Sequence, residues 1–204
     1  MFITFEGLDF SGKSTQVRLL QQYLETIHKK VKVIREPGGT AISEKVRNIL
    51  LDTKNSEMYL ETELLLFSAS RSQLVREIIL PHLKKGYYVI SDRFHDSSIA
   101  YQGFGRNIPL KFVIQLQMFV IEKAIPDITF FVDIPVEEVL QRMKKIKDRE
   151  LDRIEVSKGA FYEKVRDGYL YLVEREKRYR RIDGMLSIEE IHLGIIKEIE
   201  KLEK

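Results

Sequence analysis

The sequence predicts a three-layer α/β fold, with a five-stranded parallel sheet flanked by helices. Three observations point there. Short β-branched and aromatic runs alternate with longer stretches at helical spacing, the order that builds parallel βαβ units. Ile128-Thr129-Phe130-Phe131-Val132-Asp133 is almost wholly apolar, as a central strand covered on both faces must be. The strand-like Ile3-Thr4-Phe5 runs through a glycine-containing turn directly into a helical pattern.

In chain order, Ile3-Thr4-Phe5 is the first strand, and Val17, Leu20, Leu24 and Ile27 then recur at helical spacing. Val31-Lys32-Val33-Ile34 is the second strand and ends at Arg35-Glu36-Pro37-Gly38-Gly39. Helical patterns follow to about Leu51, then from about Glu57 to Leu80, where Pro81 marks a break. Tyr87 to Asp92 is the next strand. A helix fits Lys111 to Ala124, stopped by Pro126, and the apolar strand comes next. The remainder is mostly helical, with a short strand expected near Arg181-Ile182-Asp183. Ser187 with Glu190 three residues on reads as a capping box opening the last helix. No repeat or linker divides the chain, and 204 residues make one domain at about 150 residues apiece.

Composition removes several function classes. The absence of cysteine excludes a disulfide scaffold, a thiolate zinc site and a cysteine nucleophile. His28, His82, His95 and His192 fall into no metal-ligand spacing. No apolar run approaches the ~18 residues that span a bilayer. Met1-Phe2-Ile3-Thr4-Phe5-Glu6 lacks the features of a signal peptide, so a cytoplasmic location is expected, without a membrane partner. The net charge of +3 is unevenly spread. Residues 142–181 hold 14 basic against 8 acidic side chains, an excess of six, whereas residues 1–141 balance at 17 and 17. Such a run is either a solvated helical face or a segment that closes over phosphates.

Gly7-Leu8-Asp9-Phe10-Ser11-Gly12-Lys13-Ser14 matches G-x-x-x-x-G-K-[ST], the phosphate-binding P-loop. Its glycines let several backbone N–H groups converge on phosphate oxygens, and the following helix aims its positive end at the same anions. Lys13 would bridge the β- and γ-phosphates of ATP, and the Ser14 hydroxyl would ligate Mg²⁺. With glycine near 7% of residues, a chance match is on the order of 1%. This one also sits between a strand and a helix. The expected ATP-binding set runs from Gly7 through Leu8, Asp9, Phe10, Ser11, Gly12, Lys13 and Ser14 to Thr15.

Other residues gather at the carboxyl ends of strands, where α/β sheets bind ligands. Asp92-Arg93 is either a structural ion pair or a clamp, with Arg93 on an acceptor phosphate and Asp92 placing Mg²⁺ or orienting Arg93. Arg35-Glu36-Pro37-Gly38 bends into the same cleft or is simply a turn. Phe67 and Arg71, four apart, share a helix face. They would stack on a planar ring and bond its carbonyl, unless they are a core aromatic and a solvated cation. Gln102 offers a base edge both a donor and an acceptor.

Phe5-Glu6-Gly7-Leu8-Asp9, Arg35-Glu36-Pro37-Gly38-Gly39-Thr40, Asp92-Arg93-Phe94, Asp96-Ser97-Ser98-Ile99-Ala100-Tyr101-Gln102-Gly103 and Leu151-Asp152-Arg153-Ile154-Glu155 together resemble the thymidylate (dTMP) kinase family, bacterial type. They occur in that family's order and span residues 5 to 155. The resemblance implies a P-loop kinase fold that transfers the γ-phosphoryl of MgATP to dTMP, in dTTP synthesis. It also implies a homodimer, and a lid at about 144–157 on a single domain of residues 1–204. By resemblance, Asp9 assists the transferring group or the acceptor phosphate, and Glu36, Pro37 and Arg47 form the acceptor-side loop. Tyr101 crowds the sugar 2′ position, Ser98 lies beside the base, and Arg142 packs on adenine.

The catalytic set implied is Asp9, Lys13, Arg93 and a lid arginine, Arg149 or Arg153. Phe10 stands where some relatives carry a P-loop arginine and lid-type relatives carry glycine, so the lid must supply the arginine. Phe94 replaces a usual tyrosine, and His95 is also unusual. Phe161, Val165, Tyr169 and Leu172 read as core packing on a helix. A kinase for another nucleoside monophosphate is the nearest alternative. A P-loop ATPase switch linked to nucleic acid is the alternative of another class. The lid-like motif and compact length favour ATP phosphates over nucleic acid as the partner of the basic segment.

Overall fold

The strands are β1 (Phe2–Glu6), β2 (Val31–Arg35), β3 (Tyr88–Asp92), β4 (Ile128–Asp133) and β5 (Tyr179–Asp183). The computed structural model describes residues 1–145, 152–155 and 159–203. Among them these five strands form one parallel sheet in the order β2-β3-β1-β4-β5. β1 and β4 are buried along their whole length. α1 (Lys13–Thr26) and α9 (Ile188–Leu202) cover one face, where Val17, Leu20, Leu24, Ile191, Ile195 and Ile199 meet Ile3, Phe5 and Phe130. Each such side chain contributes about 1.5–3 kcal/mol by leaving water. α3 (Leu60–Leu74), α6 (Leu110–Ile121) and α8 (Gly159–Arg175) cover the other face. α2 (Ala41–Leu51) packs beside α3.

Three boundaries depart from the pattern expected of the sequence. Pro81 does not break the helix: the chain passes from α3 through a π-helical stretch, Val75–Ile79, into α4 (Leu80–Lys84). Pro81 falls in the first turn of α4, directly after the π-helical stretch. α6 ends at Ile121, because Glu122 takes a φ of 56°. After β3, α5 (His95–Ser98) continues as a π-helical segment, Ile99–Gly105, packed on α8. Gly168 of α8 makes that approach possible, since a Cβ there would lie 2.8 Å from the Ala100 Cα. The last helix opens as expected, with Ser187 Oγ accepting from the Glu190 N–H and the Glu190 carboxylate accepting from the Ser187 N–H.

The basic excess of residues 142–181 is met largely inside the fold. Arg178 grips the buried Asp96 with both nitrogens, at 2.6 and 2.9 Å. Arg166 and Arg181 both hold Asp133. These cations offset carboxylates from elsewhere in the chain, which corrects the expectation that the excess as a whole faces ATP phosphates.

Candidate active site

The carboxyl ends of β1, β2 and β3 open onto a cavity of about 620 Å³. The turn between β1 and α1 forms its floor. Gly7, at φ 141°, allows the chain to pass β4: a Cβ there would sit 2.5 Å from the Val132 carbonyl oxygen. Lys13 Nζ lies across the loop and donates to the carbonyls of Leu8 (2.6 Å) and Gly7 (3.2 Å). Burial, with Arg93 adding to it, pushes its ammonium down to about 8. Ser14 Oγ donates to Asp92 Oδ2 at 2.6 Å. A hydroxyl and a carboxylate side by side suit Mg²⁺, which takes hard oxygens, keeps several waters and is completed by substrate phosphates.

Asp92 and Arg93 do not pair with each other. Arg93 takes a φ of 69° and swings into the cavity. Its Nη2 donates to Asp9 Oδ1 (2.6 Å) and to the Tyr101 hydroxyl (3.0 Å); its Nη1 donates to the Tyr169 hydroxyl and Ser97 Oγ. Tyr101 in turn donates to Asp9 Oδ2. Burial alone would raise the Asp9 carboxyl, but Arg93 and Lys13 outweigh it and hold Asp9 below the usual range. Behind this cluster lies Glu6, which accepts from the Phe94 N–H, Ser97 Oγ and the Tyr169 hydroxyl at 2.6–2.8 Å. Burial first, then the nearby Asp96, pushes Glu6 up to about 7.

On the acceptor side, Arg35 and Arg47 both donate to the Pro37 carbonyl, at 2.9 and 2.8 Å. Arg71 is buried, not solvated. It bonds Glu36 Oε2 (2.6 Å), Ser98 Oγ (2.8 Å), Gln117 Oε1 (2.6 Å) and the Phe94 carbonyl (3.2 Å). Stripping one partner from such a buried pair costs about 3–5 kcal/mol. Glu36 keeps its Oε1 without a hydrogen-bond partner at the cavity wall.

All nine acceptor-side candidates line this one cavity, as do Asp9, Phe10, Gly12, Lys13, Ser14, Thr15, Asp92 and Arg142. Arg142 Nη1 donates to the Phe10 carbonyl at 3.0 Å. Gly7, Leu8 and Ser11 shape the loop from behind, with the Leu8 side chain in the core. Arg149 lies outside the described residues. Arg153 is turned to the acceptor side: it donates to the Leu50 carbonyl (2.8 Å) and to Glu63 Oε2 (2.7 Å). Arg153 is not among the residues that line the cavity.

The pattern of residues did not single out Glu6, Ser97 or Glu63, and it took Tyr169 for packing alone. The Tyr169 ring does stack on Phe131, 5.1 Å between centroids, while its hydroxyl joins the Arg93 network. A glutamate ending an apolar strand just before the P-loop glycine was the one available signal.

A family model described as thymidylate kinase matches residues 5–195. Thymidylate kinase of Thermosipho africanus is 51% identical over 201 residues, covering 98% of each chain. That of Kosmotoga olearia is 48% identical, covering 97% of this chain and 94% of its own. The crystal structure of thymidylate kinase from Ehrlichia chaffeensis superposes with a TM-score of 0.78 at 39% identity, over 98% of both chains. Fold, cavity and likeness thus converge, and the chain belongs to the thymidylate kinase family.

Proposed function

We propose that this protein transfers the γ-phosphoryl group of MgATP to dTMP, giving dTDP and ADP. One observation carries the reading: a single cavity joins the P-loop to an acceptor pocket, with the Asp9–Arg93 pair between them. An oxygen of the acceptor phosphate bonds to the γ-phosphorus as its bond to the ADP oxygen breaks. Such a transfer needs little covalent help from the protein and depends on positioning and electrostatic stabilisation.

Lys13 and the backbone N–H groups of the P-loop hold the β- and γ-phosphates. Arg93, kept in place by Asp9, Tyr101, Ser97 and Tyr169, reaches the acceptor phosphate, and Arg47 binds it from the far side. Phe67 stacks on the base, Arg71 and Gln102 meet its edge, Ser98 lies beside it, and Tyr101 crowds the sugar. Arg142 faces the adenine end. Mg²⁺ bound with ATP would neutralise charge on the transferring group, held by Ser14 and Asp92. Of the two lid candidates we assign the phosphate-facing role to Arg149, because Arg153 already serves Glu63 and the end of α2.

The same reading includes a homodimer. Leu65 on α3 and Phe112, Met118 and Phe119 on α6 are exposed on helices that pack side by side, a surface a second copy would cover. No helix among the described residues is long and apolar enough to cross a membrane, and the proposed setting is the cytoplasm.

ADP release with MgATP across dTMP, dUMP, UMP, CMP, AMP and GMP tests the substrate. Turnover is expected to be highest with dTMP; a ribonucleotide turned over as well or better would remove the thymidylate assignment. Sedimentation at two protein concentrations tests the dimer.

A further inference from the structure

Glu63 lies on α3 one turn before Phe67, is 1% exposed, and has no part in the chemistry above. Its carboxylate takes bonds from three residues on two segments, the π-helical stretch with its C-terminal end and residues 152–155. Gln102 Nε2 donates to Oε1 at 2.9 Å. Arg106 donates to Oε1 and Oε2, at 3.3 and 3.4 Å, and Arg153 Nη2 donates to Oε2 at 2.7 Å. Burial alone would raise this carboxyl, but the surrounding donors, Arg106 foremost, hold it below the usual range. Both cations are themselves fixed. Arg106 sits over the Phe161 ring at 4.4 Å, and Arg153 is pinned to the end of α2 through Leu50 and Leu51.

An ionised carboxylate only accepts hydrogen bonds, so it must face the nitrogen of the Gln102 amide. A flipped amide would set its oxygen against a buried negative oxygen. The carbonyl end of Gln102 is therefore the end left for the cavity that this residue lines. Thymine carries a proton on N3 and can donate to that carbonyl. Cytosine has a lone pair there and would oppose it.

We infer that Glu63 is a positioning residue for base selection: by fixing the Gln102 amide, it makes the pocket accept a pyrimidine that donates at N3 and refuse one that accepts there. The inference rests on the dTMP reading above and deepens it.

The test is kcat/KM for dTMP and for dCMP, with MgATP, in wild type and in variants at Glu63. Glu63→Gln can satisfy the Gln102 amide in either orientation. It should lower the dTMP:dCMP ratio by about tenfold or more, carried in the KM of the acceptor, with the KM of ATP held. Glu63→Asp keeps the buried charge and shortens its reach by a methylene, and should move the ratio the same way. In a Gln102→Met background, Glu63→Gln should leave the ratio within about twofold of Gln102→Met alone. A merely structural ion-pair hub would lower the melting temperature and leave selectivity alone. A wild-type preference that survives both Glu63 substitutions, or a full shift when Gln102 is already gone, overturns this inference alone. A wild type with no preference for dTMP overturns the functional reading and this inference with it.

Discussion

Arg93 owes its place to its own backbone. At φ 69° it departs from β3 in a conformation that a non-glycine residue enters only under constraint, and five polar groups hold it there. Arg93→Ala should lower turnover by about 10³-fold or more, the scale of a lost transition-state arginine. ATP affinity measured by titration calorimetry should stay within about threefold, since the P-loop contacts remain. Unchanged turnover would take Arg93 out of the site. Phe10 shows the same physics from the other side: at φ 62° it occupies the left-handed region that glycine enters freely. The glycine expected of lid-type relatives at that position thus has a backbone reason. Phe10 holds that conformation at a cost of about 1–2 kcal/mol of strain.

At the scale of elements, α9 depends on its opening turn. Ser187→Ala removes the side-chain half of the capping box and should cost about 1 kcal/mol. In a chain of this size that lowers the melting temperature by about 2–4 °C. A calorimetric scan that shows no change would deny the cap its part. This helix was legible because its signals are local, and so were β4 and α2, whose patterns repeat within a few residues. What depended on distant partners was not. Pro81 read as a stop because the π-helical turn ahead of it leaves no mark in the pattern. Residues 95–105, with two glycines and a β-branched residue, carry poor helix propensity, and their packing on α8 makes them helical. The P-loop and the acceptor motifs identified most of the cavity lining. Glu6 escaped because its partners Phe94 and Tyr169 lie 88 and 163 residues away. The Arg153–Glu63 pair was not legible because nothing in the segment of Arg153 announces that partner.

Across the whole molecule, two buried groups with opposed titrations shape stability. Glu6 is raised from its ordinary 4.5 to about 7. Across that window the folded chain holds a proton the unfolded chain has lost, so this contribution falls as pH rises. His95 is lowered from 6.5 to about 4 by burial, so the unfolded chain holds the extra proton and stability rises with pH. The two offset each other where the windows overlap. Relative to wild type, Glu6→Gln should make stability climb with pH between about 4.5 and 6.5, and His95→Gln should make it fall over the same range. Denaturant unfolding at several pH values reads both slopes; slopes of the same sign would contradict this picture. The arginines that bind Asp96 and Asp133 belong to this scale as well. They tie the last third of the chain to β4 and to α5, and they account for much of a basic excess that otherwise suggests a polyanion partner.

The P-loop and the acceptor pocket act as one transfer site. Following the label of γ-phosphoryl-labelled ATP with and without dTMP tests it most directly. Label is expected in dTDP, with little inorganic phosphate released and turnover dependent on dTMP. Label released as inorganic phosphate at the same rate with or without dTMP would contradict it, and would point instead to an ATPase.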